Sequence, residues 1–204
     1  MNYLAHLHLA DSVGSHLAAS LLADFIRGRP DGRFTADVVT GIYLHRHIDR
    51  EVDATAQVKL AKQLFPVPLR RFAGIALDLY WDHFLAVHWH HYHPTALNTF
   101  IDQAQQRILP FSSQSDLPVE YLHLQQRMWS QGWLQSYRET GNIVYALQRI
   151  SQRRPRFGPL AECGEYLDKH YGTLNELFTE LYPLMIDKVE KYTPPPNRPS
   201  PKTD

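Results

Sequence analysis

Apolar residues recur along most of this chain at intervals of three and four positions, the spacing that places them on one face of an α-helix. Alternating apolar and polar runs bounded by hairpin turns, which are typical of β-strands, are hard to find. Prolines and glycines divide the apolar pattern into segments, because both residue types interrupt helices. The pattern predicts helices at about 15–26, 35–64, 69–93, 95–108, 118–138, 141–152 and 158–191.

These segments predict an all-α fold, a compact bundle of about six or seven helices joined by short connections. Residues 1–192 are predicted to form a single domain, since neither an internal repeat nor a second core is visible. Residues 193–204 contain five prolines and no large apolar side chain, so they cannot bury enough surface to fold. We expect this last segment to be a disordered tail.

The composition narrows the classes of partner. Basic and acidic residues both number 21, so the formal charge is zero and nothing global indicates a nucleic acid or an anionic membrane. The single cysteine, Cys163, excludes an internal disulfide framework and a thiolate metal cluster, which is typical of the reducing cytoplasm. The chain shows no basic leader before an apolar stretch and no run of about 18 apolar residues. We expect a soluble, cytoplasmic protein without stable membrane association.

Two carboxylates lie inside an apolar run on the third predicted helix. Asp78 and Asp82 are four residues apart, so both occupy one face of that helix. Like charges at this spacing repel each other, and bare anions among apolar neighbours are costly to bury. A positive group should therefore lie between them. A divalent metal ion, an arginine or a shared proton would each meet this requirement, and the nearby histidines favour the metal.

The three longest candidate helices at the start of the chain all carry polar groups in apolar surroundings. Asp24 ends the first, while His45 and Asp49 are four residues apart on the second, a spacing at which both can bind one ion. His83 adds an imidazole on the third. Imidazole and oxygen ligands without sulfur favour Mn²⁺ or Mg²⁺ over a structural zinc. The alternative is a set of simple ion pairs, His45 with Asp49 and Asp24 with Arg27.

The first ten residues and a later arginine run offer further candidates. His6 and His8 interrupt a strongly apolar decapeptide, where a histidine is more often a core residue with a hydrogen-bond partner than a metal ligand. Arg153, Arg154 and Arg156 have the bonding geometry for phosphates or carboxylates, and an ordinary solvated turn is the alternative. The sequence has no glycine-rich phosphate loop, no Gly-x-Ser-x-Gly elbow and no Cys/His dyad. Covalent nucleophilic catalysis is therefore unsupported.

Five unusual motifs follow one another in order along most of the chain. They are 2–10 (NYLAHLHLA), 21–28 (LLADFIRG), Gly41 with His45-Arg46 and Ile48-Asp49, Leu77-Asp78 with 81–85 (WDHFL), and 153–156 (RRPR). With these motifs the chain closely resembles the acyl carrier protein phosphodiesterase family, the bacterial holo-acyl-carrier-protein hydrolases.

The resemblance implies an enzyme that removes the 4′-phosphopantetheine arm from holo-acyl carrier protein and leaves the apo protein with a free serine. It also implies manganese as the metal and a variant of the helical, metal-dependent HD phosphohydrolases as the fold. The usual HD signature is a His, a His-Asp dipeptide and a later Asp. This chain has Asp82-His83 in the reversed order and no His-Asp dipeptide. The ligand set therefore cannot be transferred by pattern.

The residues and the resemblance together predict metal-activated hydrolysis of a phosphodiester on holo-acyl carrier protein. The predicted metal ligands are Asp24, Asp78, Asp82, His6 and His45. The predicted catalytic residues are His6, Asp24, His45, Asp49 and His83, the last two of which would orient a ligand or move protons. The residues predicted to meet phosphate or an acidic carrier are Arg27, Arg153, Arg154 and Arg156. Two alternatives stay open: a phosphohydrolase of nucleotides or other small phosphate esters, and a non-catalytic helical module that binds acyl carrier protein.

Overall fold

The computed structural model describes residues 1–113, 116–153 and 155–195, and within these ranges the chain is helical and has no β-strand. The all-α class predicted from the apolar spacing is therefore confirmed. The described residues form twelve α-helices: α1 (Tyr3–Ser12), α2 (Leu17–Leu22), α3 (Ala36–Ala54), α4 (Ala56–Gln63), α5 (Arg70–Val87), α6 (Trp89–Tyr92), α7 (Leu97–Ile108), α8 (Val119–Ser130), α9 (Trp133–Ser136), α10 (Thr140–Ser151), α11 (Gly164–Lys169) and α12 (Tyr171–Glu190). Short 3-10 helices lie at Ala23–Phe25, Val67–Leu69, Phe111–Ser113 and Pro155–Cys163.

The helices are shorter and more numerous than the predicted six or seven, because local backbone features interrupt three of the long segments. Thr55 has an extended backbone, and its hydroxyl accepts a hydrogen bond from the amide of Val58, so α4 begins there as a separate helix. Gly132 adopts a left-handed backbone with φ of 59°, which separates α8 from α9. The predicted segment 158–191 starts inside a 3-10 helix and contains both α11 and α12.

Helix α1 lies outside the predicted elements because it has no polar face. All seven residues from Leu4 to Ala10 are buried. A helix with apolar groups on every side shows no amphipathic period, so the spacing rule does not reveal it. Helix α1 contacts α2, α3, α5 and α12, and it therefore lies inside the bundle.

An aromatic core joins α5 to α12 beside this helix. Phe84 of α5 packs against Phe178 of α12 with ring centroids 5.7 Å apart, and Phe178 stacks on Tyr182 at 5.1 Å. The Tyr182 hydroxyl donates a hydrogen bond to Nδ1 of His8 at 2.8 Å, while Nε2 of His8 donates to the carbonyl of Tyr92 at 3.1 Å. His8 is thus a core histidine whose two ring nitrogens both have partners.

A glycine allows α2 and α3 to approach closely. A Cβ atom at Gly41 would lie 2.6 Å from the Cβ of Ala19 and 3.2 Å from the carbonyl oxygen of His16. These distances are too short for any side chain at position 41, so glycine is required for this contact. The close packing brings the end of α2, which leads to Asp24, beside the middle of α3, which carries His45.

Two findings concern the expected location and the ends of the predicted domain. Within the described part of the chain, no helix combines the length and the apolar character that crossing a membrane requires. Residues 196–204 of the predicted tail, and Arg154 of the arginine run, lie outside the described residues. The boundary between domain and tail therefore stays a prediction.

Candidate functional site

Four polar side chains meet where α1, α3 and the turn after α2 come together. His6 lies on α1, Asp24 lies in the 3-10 turn Ala23–Phe25, and His45 and Asp49 lie one turn apart on α3. The sequence spacing links the pair on α3 alone. The fold adds His6 and Asp24 to that pair, and we call these four residues the His–Asp cluster.

Short contacts connect all four members of the cluster. Nε2 of His6 lies 3.0 Å from Oδ1 of Asp49, and Nε2 of His45 lies 3.1 Å from Oδ2 of the same carboxylate. Oδ1 of Asp24 lies 3.2 Å from Nε2 of His45. The two imidazole rings stack at an angle of 16°. Asp49 therefore bridges two imidazoles, and His45 bridges two carboxylates.

The orientation of His45 is fixed from behind by a backbone carbonyl. Nδ1 of His45 donates a hydrogen bond to the carbonyl oxygen of Ser20 at 2.7 Å, so Nε2 is the nitrogen that faces the carboxylates. A histidine that ligates a metal usually donates its second nitrogen to such an acceptor. Sequence reasoning missed Ser20, because it acts through its main chain and no side-chain signal marks it.

The charges of the cluster are coupled. Burial lowers the pKa of His6 to about 4, assisted by the nearby His45, so this ring is neutral at pH 7. Burial opposes a charge on His45 as well, but hydrogen bonds with Asp24 and Asp49 outweigh it and raise the pKa of His45 to about 9. The same hydrogen bonds hold the pKa of each carboxyl below its ordinary value, although burial acts in the opposite direction. One imidazolium and two carboxylates leave an excess of negative charge, which suits a cation.

The cluster opens to solvent on its carboxylate side. The side chains of His6 and His45 are 2% and 4% exposed, whereas those of Asp49 and Asp24 are 45% and 49% exposed. The imidazoles are therefore held inside the protein while a small molecule or ion can reach the carboxylates. Nδ1 of His6 is buried without a hydrogen-bond partner among the described residues.

The donor atoms fit a hard or borderline divalent cation. Within the described ranges, His6, His45 and Asp49 each offer one ligand atom, and these atoms lie within 4.8 Å of one another. Ligands at about 2.1 Å from a shared octahedral ion are roughly 3 Å apart, which agrees with the contacts in the cluster. Nitrogen and oxygen donors without sulfur are typical of Mn²⁺ and Mg²⁺ sites.

Asp78 and Asp82 face the beginning of the chain. Oδ1 of Asp78 accepts a hydrogen bond from the α-ammonium of Met1 at 2.7 Å. The carboxylate of Asp82 accepts hydrogen bonds from the backbone amides of Leu4 at 2.8 Å and Ala5 at 3.1 Å. Burial raises the pKa of Asp82 to about 7, against the effect of these two bonds. An ammonium group and the positive end of a helix dipole thus supply the positive charge that the spacing of the two carboxylates requires.

The structure does not bring His83 into the His–Asp cluster. Its Nδ1 donates a hydrogen bond to the carbonyl of Tyr137 at 2.8 Å, and its Nε2 lies 3.0 Å from the hydroxyl of Tyr171. Consecutive helical residues point about 100° apart, so His83 leaves α5 in a different direction from Asp82. Both ring nitrogens have partners, and none of these contacts supports the predicted role at a metal.

The described arginines predicted to bind substrate are all exposed, and they differ in their distance from the cluster. Arg27 is three residues beyond Asp24 on the solvent side. Arg153 is close enough to Tyr3 to oppose the rise in the tyrosine pKa that burial and Asp24 cause. Arg156 stacks on the ring of the phenylalanine that follows it, at 4.9 Å, and has no contact with the cluster among the described residues. Arg27 and Arg153 therefore flank the site.

The sequence model of one protein family, described as acyl carrier protein phosphodiesterase, matches residues 1–185. This chain belongs to the acyl carrier protein phosphodiesterase family. A relative of that name from Klebsiella pneumoniae is 42% identical over 191 residues, which cover 93% of this chain and 98% of the relative. Those from Pectobacterium atrosepticum and Escherichia coli O157:H7 are 41% and 39% identical and cover 91% and 94% of this chain and 96% and 98% of their own lengths. No solved structure matches the chain, so the HD-like architecture stays a prediction.

The resemblance drawn from the five sequence motifs is thereby confirmed, and the fold explains why acyl carrier protein phosphodiesterase motifs so distant in sequence form one set. The first motif contributes His6, the second contributes Asp24, and the third contributes His45 and Asp49. The fourth motif supplies the carboxylates that hold the start of α1, and the fifth supplies Arg153. All five motifs thus lie in or beside the His–Asp cluster.

Proposed function

We propose that this protein hydrolyses the phosphodiester that joins 4′-phosphopantetheine to a serine of holo-acyl carrier protein and so releases the apo carrier. Family membership supports this activity, as do relatives of that name that are 39–42% identical over more than nine-tenths of the chain. Water attacks phosphorus, the bond from phosphorus to the serine oxygen breaks, and that oxygen takes up a proton. The cytoplasm is the proposed location, which the single cysteine supports.

The His–Asp cluster is the part of the chain that would hold the metal. We assign His6, His45 and Asp49 as ligands on the closeness of their donor atoms. Asp24 is the fourth candidate, because its carboxylate lies 3.2 Å from His45. Mn²⁺ is the proposed ion and Mg²⁺ the alternative. When bound, such an ion attracts the phosphodiester and lowers the pKa of the water beside it.

The protein groups then have separate tasks. His45 loses its Nε2 proton on binding the ion, since an imidazole ligand needs a free electron pair, and Ser20 keeps Nδ1 protonated through its carbonyl. Asp24 stands on the solvent side of the cluster, where its carboxylate can accept a hydrogen bond from the attacking water. Arg27 and Arg153 flank this opening and can neutralise charge on the phosphate.

A basic loop beside the cluster supports an acidic protein as the substrate. The loop, residues 26–34, carries three exposed arginines, Arg27, Arg29 and Arg33. Arg46 of α3 donates hydrogen bonds to two backbone carbonyls of the loop at 2.6 and 2.7 Å, which holds the loop against the helix that carries His45. Acyl carrier proteins are generally acidic, and a neutral chain must meet them with a local positive patch of this kind.

The observation that carries the proposal is the convergence of His6, Asp24, His45 and Asp49 on one partly open site in a chain of this family. Holo-acyl carrier protein is incubated with the purified protein and Mn²⁺, and the carrier is then weighed by mass spectrometry. We expect the carrier to lose the mass of 4′-phosphopantetheine. An unchanged carrier in the presence of Mn²⁺ and Mg²⁺ would contradict the proposed function.

Two controls separate the parts of this proposal. Chelation should abolish conversion and leave the helical circular dichroism spectrum unchanged. Full conversion after exhaustive chelation, with metal content confirmed as negligible, would contradict the metal assignment while leaving the substrate assignment standing. Turnover of a small phosphodiester such as bis(p-nitrophenyl) phosphate, with the holo carrier left intact, would favour the general phosphohydrolase. Carrier binding without hydrolysis of either compound would favour the non-catalytic module.

A further inference from the structure

The first turn of α1 is capped by a carboxylate from another helix. The amides at the start of a helix have no partner within it. Asn2, at the capping position, makes no side-chain capping bond, and its amide nitrogen lies instead 3.3 Å from the hydroxyl of Tyr137. Asp82 of α5 fills the place, because its two oxygens accept the amide hydrogens of Leu4 and Ala5.

A second carboxylate of α5 holds the same end of α1. Asp78, one helical turn before Asp82, accepts a hydrogen bond from the α-ammonium of Met1. Asp82 is 0% exposed, whereas the side chain of Asp78 is 45% exposed. Negative charge at the amino end of a helix is favourable, and hydrogen bonds to a carboxylate are stronger than those between neutral groups. We call this pair of carboxylates the α1 anchor.

Apolar packing buries α1 but does not select its rotation about its own axis. Apolar side chains point to every side of this helix, so the core accommodates several rotations with similar burial. A slip by one residue would turn His6 by about 100° and take its ring away from Asp49. Hydrogen bonds are directional, and those to Asp82 therefore distinguish one rotation from the others.

We infer that Asp82 is a positioning residue, which fixes the rotation and height of α1 so that His6 meets Asp49 and His45. Asp78 strengthens the same anchor. Neither carboxylate is a metal ligand in this assignment, which replaces the role predicted for them from their spacing. The expected effect on activity rests on the proposed function, whereas the expected effect on His6 in the metal-free protein does not.

The test compares Asp82→Asn and Asp78→Asn with Asp11→Asn, a matched control at the other end of α1, where Asp11 pairs with Arg107. The readouts are the imidazole NMR signals of His6 in the metal-free protein, the Mn²⁺ dissociation constant and stoichiometry, and kcat and KM for the holo carrier. Residue-specific signals of His123 on α8 serve as an internal reference.

Asp82→Asn should shift the His6 signals and leave those of His123 in place. The Mn²⁺ dissociation constant should rise about tenfold or more at unchanged stoichiometry, the size of effect typical of residues that orient ligands. We expect kcat to fall by a similar factor with KM unchanged. Asp78→Asn should change the same quantities in the same direction but less, because it keeps the two amide bonds of Asp82. Asp11→Asn should change none of them.

Two results would overturn the inference. One is complete loss of the bound ion in Asp82→Asn with unchanged His6 signals, which identifies Asp82 as a ligand. The other is a lower melting temperature with unchanged His6 signals, Mn²⁺ affinity and kcat, which identifies a purely structural contact. If Asp82→Asn does not fold, Asp78→Asn decides the question by the same readouts. A wild-type protein that converts the carrier without Mn²⁺ would contradict the proposed metal, while shifted His6 signals in metal-free Asp82→Asn would still support positioning.

Discussion

The imidazole rings of His6 and His45 lie face to face, with their centroids 3.9 Å apart. Two imidazolium ions at this distance would repel each other, and the two pKa values move apart accordingly. Burial and the charge of its neighbour bring the pKa of His6 to about 4, whereas two carboxylates overcome burial and bring the pKa of His45 to about 9. At neutral pH the pair therefore holds one proton in excess of two neutral rings, on the nitrogen that would bind the metal.

Mn²⁺ binding should tighten as the pH rises, because the ion must displace this proton from His45. We expect the association constant to increase about tenfold for each pH unit between pH 7 and the pKa of His45 near 9, and then to level off. Calorimetric titration at pH 7 in buffers of different ionisation enthalpy should detect the release of about one proton for each ion bound. Asp24→Asn should lower the pKa of His45 and flatten the profile. An affinity that does not change between pH 7 and 9 would contradict this account.

Asp49→Asn should abolish most of the activity, since it removes a charged ligand that contacts both imidazoles. We expect kcat to fall by about 100-fold or more, which corresponds to about 3 kcal/mol of transition-state stabilisation. Mn²⁺ should raise the melting temperature of the wild type but not that of the variant. Asp53→Asn is the matched control, because Asp53 lies one turn further along α3, is exposed and pairs with Lys62 at 3.0 Å. Equal losses of turnover in the two variants would argue against a ligand role.

Gly41→Ala should destabilise the protein and weaken the cluster together. The added Cβ would lie 2.6 Å from that of Ala19, so α2 must move away from α3. We expect a loss of about 1–3 kcal/mol in the free energy of unfolding, together with weaker Mn²⁺ binding, because Asp24 follows α2 directly. Gly74→Ala in α5 is the matched control: its Cβ would meet nothing nearer than 3.9 Å, and it should stabilise the protein by about 0.5–1 kcal/mol. Urea titration measures both changes.

Reversal of charge at the two arginines that flank the site should weaken recognition of the carrier. Arg27→Glu and Arg153→Glu should each raise KM for the holo carrier several-fold at low salt, on the order of tenfold together, and leave kcat within about twofold. Added salt should reduce the difference, because it screens exposed charges. Lys59→Glu, on the exposed surface of α4, applies the same change of charge elsewhere. An unchanged KM in the double variant would show that the carrier binds another face.

The apolar spacing was sufficient for the class of fold and for long amphipathic helices such as α3 and α5. It did not reveal α1, because a helix buried on every side carries no period, and it did not locate the break at Thr55, because a threonine cap is a local backbone choice that the apolar pattern does not record. Polar residues in apolar surroundings were the informative signal for the site. His45 and Asp49, four residues apart, formed the correct nucleus of the cluster.

The rest of the site depends on contacts between residues distant in sequence. The carbonyl of Ser20 orients His45, and the start of α1 occupies Asp82, yet neither relationship has a signature in the residue types themselves. A buried carboxylate in an apolar helix is compatible with a metal, a cation or the end of another helix, and the choice among them is made by topology. His83 illustrates the same limit, since one residue along α5 separates the anchor from a contact with Tyr137.

Helix α12, at Tyr171–Glu190, packs against α1, α3, α4 and α5. The cluster residues all lie within the first 49 positions, but the helices that carry them gain this wall of their core after residues 50–170 have been added. During synthesis on the ribosome the amino-terminal part emerges first and must wait for that wall. A nascent chain paused before residue 171 therefore carries every cluster side chain without the packing that holds them, and catalytic competence arrives late in translation.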